Sequence, residues 1–131
     1  MPALNYKKQF ANAVQNFEKL STIRRSGKRL PPKKGEHIKH YTGMMTKFCR
    51  LLCIGVCTEV TPIRIAYLDG KPTVFLGVVV RDEKSWVQVV PDEIEKLAKA
   101  DGFESLDDFF AFFLTETDEF LGFLIEWEPK P

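Results

Sequence analysis

KLSTIRRSGKRLPPKKGEHIKHYTGMMTKFCR, Lys19 to Arg50, holds ten cations (Lys19, Arg24, Arg25, Lys28, Arg29, Lys33, Lys34, Lys39, Lys47, Arg50) against one acid, Glu36. That excess is far more than a solvated face requires, and it points to a polyanionic partner. Ser26-Gly27 and Pro31-Pro32 interrupt regular structure in its middle, so the densest charge falls on a loop. Lys19 and Thr22 stand three residues apart and are followed by Ile23 and Arg24. An amine, a hydroxyl and a guanidinium can then converge on the wall of an open, positively polarised pocket for a nucleotide-like ligand.

Upstream, Ala3 to Tyr6 suits a short strand. Phe10, Ala13, Val14, Phe17 and Leu20 recur at three- and four-residue intervals, which predicts a helix from Lys8 to Leu20 with Lys19 as a cation at its negative end. Ser21 to Arg24 then turns into the next segment. Downstream, Glu36 to Tyr41 alternates as a strand with Ile38 and His40 opposite Lys39, and Thr42-Gly43 turns. Met44 to Cys49 is ambiguous. Leu51 to Ile65 is strand-rich, with Gly55 a point of close approach and Pro62 an edge or a break.

Asp69-Gly70 is the strongest hairpin signal in the chain, joining Arg64–Tyr67 to Thr73–Val80. Asp82 and Glu83 start another turn before a strand at Trp86–Val90. Pro91 opens a helix with Asp92, Glu93 and Glu95 near its positive end, closing at Asp101-Gly102. Ser105 caps another, whose Leu106, Phe109, Phe110, Phe113 and Leu114 face inward and whose Phe112 faces out. Leu121 to Trp127 closes as a strand. About six strands joined by turns, with three helices, predict an α+β domain whose mixed or antiparallel sheet curls into a small barrel.

The chain has 131 residues, enough for one core, and the reading is a single domain over 1–131. Its 44% apolar and 28% charged content is that of a soluble globular protein. No apolar run approaches the roughly 20 residues of a spanning helix, and MPALNYKK lacks a signal-peptide core, so a cytoplasmic location without membrane contact is expected. Residues 1–64 carry 13 Lys and Arg against 3 acids, a net of +10, and residues 65–131 carry 6 against 15, a net of −9. A basic face opposed by an acidic one follows unless the halves neutralise each other in the fold. Cys49, Cys53 and Cys57, odd in number and four apart, read as reduced thiols. Together with His37 and His40 they do not reproduce paired zinc spacing, so no metal or cofactor is expected.

The ordered set Lys19, Thr22-Ile23-Arg24, basic loop, Gly35-Glu36-His37-Ile38, Tyr41-Thr42-Gly43, Thr46-Lys47 and Cys49-Arg50 resembles the ASCH domain, a relative of the PUA RNA-binding domain. Asp101-Gly102-Phe103, Ser105, Asp108-Phe109 and Leu124-Ile125-x-Trp127 extend the resemblance over nearly the whole chain. It implies a PUA-like β-barrel with a cleft for RNA or modified nucleosides beside the first helix. Some family members are small amidohydrolases acting on acetylated cytidine, and at least one is assigned ribonuclease activity. The Lys and Thr of the amidohydrolases fall on Lys19 and Thr22, while their Glu lands nearest Asp101, one methylene shorter. Phe17 stands where they place a glycine.

Three functions are compatible with these residues. In the first, Lys28, Arg29, Lys33, Lys34 and Lys47 neutralise RNA phosphates, Arg24 and Arg25 hold a phosphate, and Tyr41 stacks on an unpaired base, with Phe48 assigned to the core. In the second, Lys19 activates the Thr22 hydroxyl for hydrolysis, with Asp101 orienting the amine and Arg24 holding the oxyanion. In the third, the acidic helices bind a protein partner.

Overall fold

The computed structural model describes residues 2–130. In chain order its elements are β1 (Ala3–Tyr6), α1 (Lys8–Gln15), β2 (Ser21–Arg25), β3 (His37–Thr42), β4 (Arg50–Leu68), β5 (Lys71–Val80), β6 (Glu83–Gln88), α2 (Pro91–Ala100), α3 (Leu106–Leu114) and β7 (Glu119–Pro129). The fold is α+β. β1 runs parallel to β3, while β3–β4, β4–β5 and β5–β6 are antiparallel, giving a mixed sheet. The path β1-β3-β4-β5-β6 does not close on itself, and β7 pairs with β2 and β4. The chain divides into two compact units: Met1–Thr22, Pro31–Val60 and Ile125–Pro131 form the first, and Ile23–Leu30 with Thr61–Leu124 the second.

In the first unit, α1 buries Phe10, Ala11 and Val14. It ends five residues before the predicted Leu20. Phe17 adopts φ +59°, its N–H reaches the Val14 carbonyl at 3.2 Å, and the Glu18 N–H reaches the Ala13 carbonyl at 2.9 Å. These two bonds form a Schellman ending, which demands a left-handed residue at the position Phe17 occupies. The reversal turns Phe17 and Leu20 outward and leaves no cation in the last turn, so Lys19 is not a helix-end charge. α2 closes with the same pair of bonds, Gly102 N–H to Lys99 and Phe103 N–H to Ala98, but here the left-handed residue is Gly102 at φ +96°. One ending uses the residue suited to it. The other holds a phenylalanine at a cost of about 1 kcal/mol.

Ser21 to Arg25 forms a strand where a turn was expected. Ser21, Thr22 and Ile23 are all buried, so both faces of its start are covered and the alternation that marks a strand is absent. β3 follows expectation, with Ile38 and His40 fully buried and Lys39 on the opposite side of the pleat. β4 continues unbroken through Pro62. That proline falls between the stretch registered with β3, which ends at Val56, and the stretch registered with β5, which begins at Ile63, so its missing N–H costs neither ladder a bond.

Gly55 is the close approach its sequence suggests: a Cβ there would lie 2.7 Å from Trp127 Cδ1 and 3.2 Å from His40 Nε2. The Trp127 and His40 rings are 4.3 Å apart, and Tyr6 shares a 2.9 Å hydrogen bond between its hydroxyl and His40 Nδ1. In the second unit, Asp69 and Gly70 take φ +51° and +77° in the β4–β5 turn, both left-handed as a two-residue hairpin needs. Ser105 caps α3 by accepting the Asp108 N–H at 3.1 Å. Phe109 and Phe113 are buried, Phe113 lies 4.8 Å from Phe120, and Phe112 is 43% exposed.

Gly55→Ala should lower stability by roughly 1–3 kcal/mol through overpacking against a buried indole. Gly70→Ala meets no atom within 4 Å and should cost only the left-handed penalty, about 1 kcal/mol. Urea unfolding of the two variants measures the difference.

Candidate nucleic-acid interface

In the first unit the Schellman ending delivers Lys19, whose N–H joins that of Glu18 on the Ala13 carbonyl. Its side chain is only 3% exposed, with Nζ 5.3 Å from the centre of the Phe10 ring. Thr22 is 5% exposed. Neither side chain lies on an open wall; both are enclosed, which for an ammonium is costly unless its charge is met by partners. The Trp127 N–H donates to the Leu20 carbonyl at 3.0 Å, tying the link between them to β7.

The exposed charge of this unit lies elsewhere. Lys33 and Lys34 stand at the end of the basic loop, which Gly35 and Glu36 fasten to β4: the Gly35 N–H donates to Cys57, and the Cys57 N–H to Glu36. Glu36 does not neutralise the lysines; its carboxylate accepts the Lys33 backbone N–H at 2.7 Å. Lys34 approaches Glu59 at 4.0 Å with both side chains in solvent, a contact worth little. After β3, Gly43 at φ +67° and Thr46, whose hydroxyl donates to the Gly43 carbonyl and accepts the Phe48 N–H, turn the chain outward. Phe48 is therefore 74% exposed, where the core was expected, and Lys47 Nζ sits 5.3 Å from its ring centre. Tyr41 is half-buried.

In the second unit, Arg24 is half-buried in β2. Its carbonyl lies so close to Gly122 that a Cβ there would stand 2.1 Å away, so β2 can approach β7 only across a glycine. Arg25, Lys28 and Arg29 are exposed, and the Arg25 guanidinium rests 5.2 Å from the Phe120 ring centre. Asp101 is 4% exposed at the C-cap of α2, where a carboxylate meets the negative end of the helix dipole.

Among the described residues, Arg25, Lys28, Arg29, Lys33 and Lys47 make no ion pair. The acids of α2, by contrast, pair within the helix, Glu93 with Lys96 and Glu95 with Lys99. These basic side chains are thus not neutralised by the carboxylates of the described residues. Phe48, which the sequence assigns to the core, stands in solvent instead; Gly43 and Thr46, flanking a stretch with no clear periodicity, are the available signal for it. No family model, characterised protein or solved structure matches this chain.

The cysteines diverge along β4 and the turn before it. Cys49 is exposed, Cys53 donates to the Val14 carbonyl at 3.6 Å, and Cys57 to that of Glu59 at 3.8 Å. Burial raises both the Cys53 and Cys57 thiols above their ordinary value of 9.0. The folded protein therefore holds these protons to higher pH than the unfolded chain does. Their contribution to stability is complete below pH 9 and declines above it. Iodoacetamide at pH 8 should modify Cys49 at least tenfold faster than Cys53 or Cys57, and Cys57→Ala should flatten the fall in stability above pH 9.

Proposed function

We propose that this protein binds RNA, or a cytidine-like nucleoside within it, through the basic residues of Lys19–Arg50. The observation that carries this reading is the set of exposed cations that pair with no carboxylate among the described residues: Arg25, Lys28 and Arg29 in one unit, Lys33 and Lys47 in the other. When such cations neutralise the phosphates of a nucleic acid, the counterions condensed on the nucleic acid are released, which drives binding. Lys34 joins them because its solvent-exposed pairing with Glu59 competes poorly with a phosphate. Phe48 and Tyr41 supply rings on which an unpaired base stacks. The finer fold belonging to this reading is a PUA-like barrel.

A second reading draws on the burial of Lys19 and Thr22 in the first unit, an amine and a hydroxyl held three residues apart and away from bulk water, the setting in which a nucleophile and its base are tuned. Here Lys19 takes the Thr22 hydroxyl proton as the oxygen attacks an acyl carbonyl and returns it to the departing amine as the acyl–nitrogen bond breaks, after which water hydrolyses the acyl-threonine. The substrate class is an acylated cytidine. A protein partner on the exposed acidic faces of α2 and α3 is a third role, and neither it nor the first requires the buried residues to react.

Filter binding to single-stranded RNA between 50 and 200 mM salt tests the first reading. Affinity should fall steeply, and Lys28→Gln with Arg29→Gln should reduce the slope of log K against log salt by about 0.7 per cation removed. A flat salt response would refute it. For the second reading, Thr22→Ala and Lys19→Met should each abolish turnover of acylated cytidine. Undiminished turnover in both removes these residues from catalysis.

A further inference from the structure

The hairpin of β5 and β6 lies wholly within the second unit and sheds its cover as it approaches its turn. Thr73 and Val74 are buried, Phe75 to Gly77 half-buried, and Val78, Val79 and Val80 exposed in succession. Every residue of β6 is exposed. Side chains alternate across a strand, so the successive valines lie on both faces. Val79 shares one face with Trp86, and Val78 and Val80 share the other with Val87. An unbroken apolar run of this kind suits a strand covered on both sides, and a two-stranded ribbon bare on both is marginal by itself.

β6 also ends the strand path, with β5 as its neighbour. The Val89 N–H donates to the Val74 carbonyl at 2.9 Å, and the register sets Val87 opposite Leu76 and Trp86 opposite Gly77. Backbone groups reverse direction at each residue of an antiparallel strand. Ser85 and Val87 therefore turn theirs toward β5, as Val89 does, while Lys84, Trp86 and Gln88 turn theirs off the edge. Arg81 and Asp82, at φ +51° and +65°, close the hairpin in a two-residue turn too short to fold over that edge.

A strand added here must set its own outward-turned residues against Lys84, Trp86 and Gln88. A second β6 running antiparallel does so in a register centred on Trp86: Trp86 meets Trp86 of the second copy and Lys84 meets its Gln88, with about six backbone hydrogen bonds. Neighbouring registers do worse. Centring on Lys84 opposes two ammonium groups, and centring on Ser85 sets Gln88 against Asp82 in the turn. Centring on Val87 sets Lys84 against Val90, whose carbonyl already accepts from Glu93 and Ile94. The side chains agree with the Trp86 register. On one face the two indoles lie together, and Gly77, where a Cβ would stand 2.9 Å from Pro62 Cβ, puts no side chain between Trp86 and Pro62. On the other face Val87 meets Ser85 of the second copy and continues the apolar row to its Val78. Arg81, Asp82, Glu83 and Lys84 at the tip cancel in charge, so two copies approach without repulsion there.

We propose that β6 pairs with β6 of a second copy of this chain, antiparallel and centred on Trp86, joining two hairpins into a four-stranded ribbon. The pairing is isologous and closes at two copies. It does not depend on the RNA-binding reading and uses none of the basic segment.

Sedimentation velocity of the full chain from about 1 to about 100 μM, with amide hydrogen exchange at both ends of that range, tests the pairing. A dimer should form, and the Lys84, Trp86 and Gln88 amides should gain about tenfold or more protection on association, while those of Ser85 and Val87, already turned to β5, change less. Gln88→Lys should raise the dimer Kd roughly fivefold, because its like-charge contact with Lys84 occurs twice across the two-fold, and Gln88→Glu should lower it by a similar factor. Cys49 is exposed, so cross-linking is followed in a Cys49→Ser background. There Trp86→Cys should form a disulfide between copies on mild oxidation, since directly paired Cα atoms lie about 5.5 Å apart. Ser85→Cys, two residues out of step with its own counterpart, should not. These positions are exposed, and circular dichroism should show the monomer fold unchanged. A monomer at every concentration, including one whose edge amides are protected only by an extended peptide of another sequence, would overturn the proposal. So would a dimer that leaves the three edge amides unprotected, assembly beyond two copies, or cross-linking through Ser85→Cys in preference to Trp86→Cys.

Discussion

An imidazole held between a phenol and an indole is the contact on which the first unit depends. His40 from β3 hydrogen-bonds Tyr6 of β1 and lies 4.3 Å from the Trp127 ring of β7, and Gly55 of β4 leaves the gap into which the indole fits. Four strands thus meet through one group of three rings and one missing side chain. The Tyr6–His40 bond satisfies one imidazole nitrogen and Gly55 makes room for the indole, whose Nε1 has no hydrogen-bond partner among the described residues. Trp127 then carries the constraint onward, because its backbone N–H holds Leu20 between Lys19 and Thr22. The placing of the two candidate catalytic residues is in this way a consequence of core packing.

The two Schellman endings show how one backbone motif can be reached from different residues. α2 reaches it with Gly102 and buries Phe103 behind it, the hydrophobic follow-on that commonly accompanies such an ending. α1 reaches it with Phe17, and the residue that follows is the exposed Glu18. A glycine would suit position 17 best, because the backbone there is left-handed. The phenylalanine keeps the turn and places an aromatic side chain at 41% exposure next to the start of the basic segment.

Charge in this molecule is neutralised locally in α2 and left to solvent in the basic loop. The acidic helix α2 satisfies its own lysines at i,i+3 and i,i+4 spacing, while the loop lysines and arginines stay solvated. Aromatic rings accompany two of the cations: the exposed Phe48 lies against Lys47, and the buried Phe120 lies beneath Arg25. Cation and ring together suit a nucleic acid, which offers both phosphate and base.

Sequence alone determined the features governed by local chemistry. The left-handed hairpin at Asp69-Gly70, the proline start and glycine stop of α2, the Ser105 cap and the alternation of β3 all follow from backbone preferences or side-chain caps that act within a few residues. So did the exposure of the basic loop, since Pro31-Pro32 and Ser26-Gly27 deny it a ladder. Tertiary structure alone decided where α1 stops, because a phenylalanine gives no warning that its backbone will turn left-handed. It alone made a strand of Ser21–Arg25, whose two faces are covered by distant chain, and took Lys19 and Thr22 out of solvent while putting Phe48 into it. Burial depends on which segments pack across long separations, and no spacing of residues within a segment encodes that.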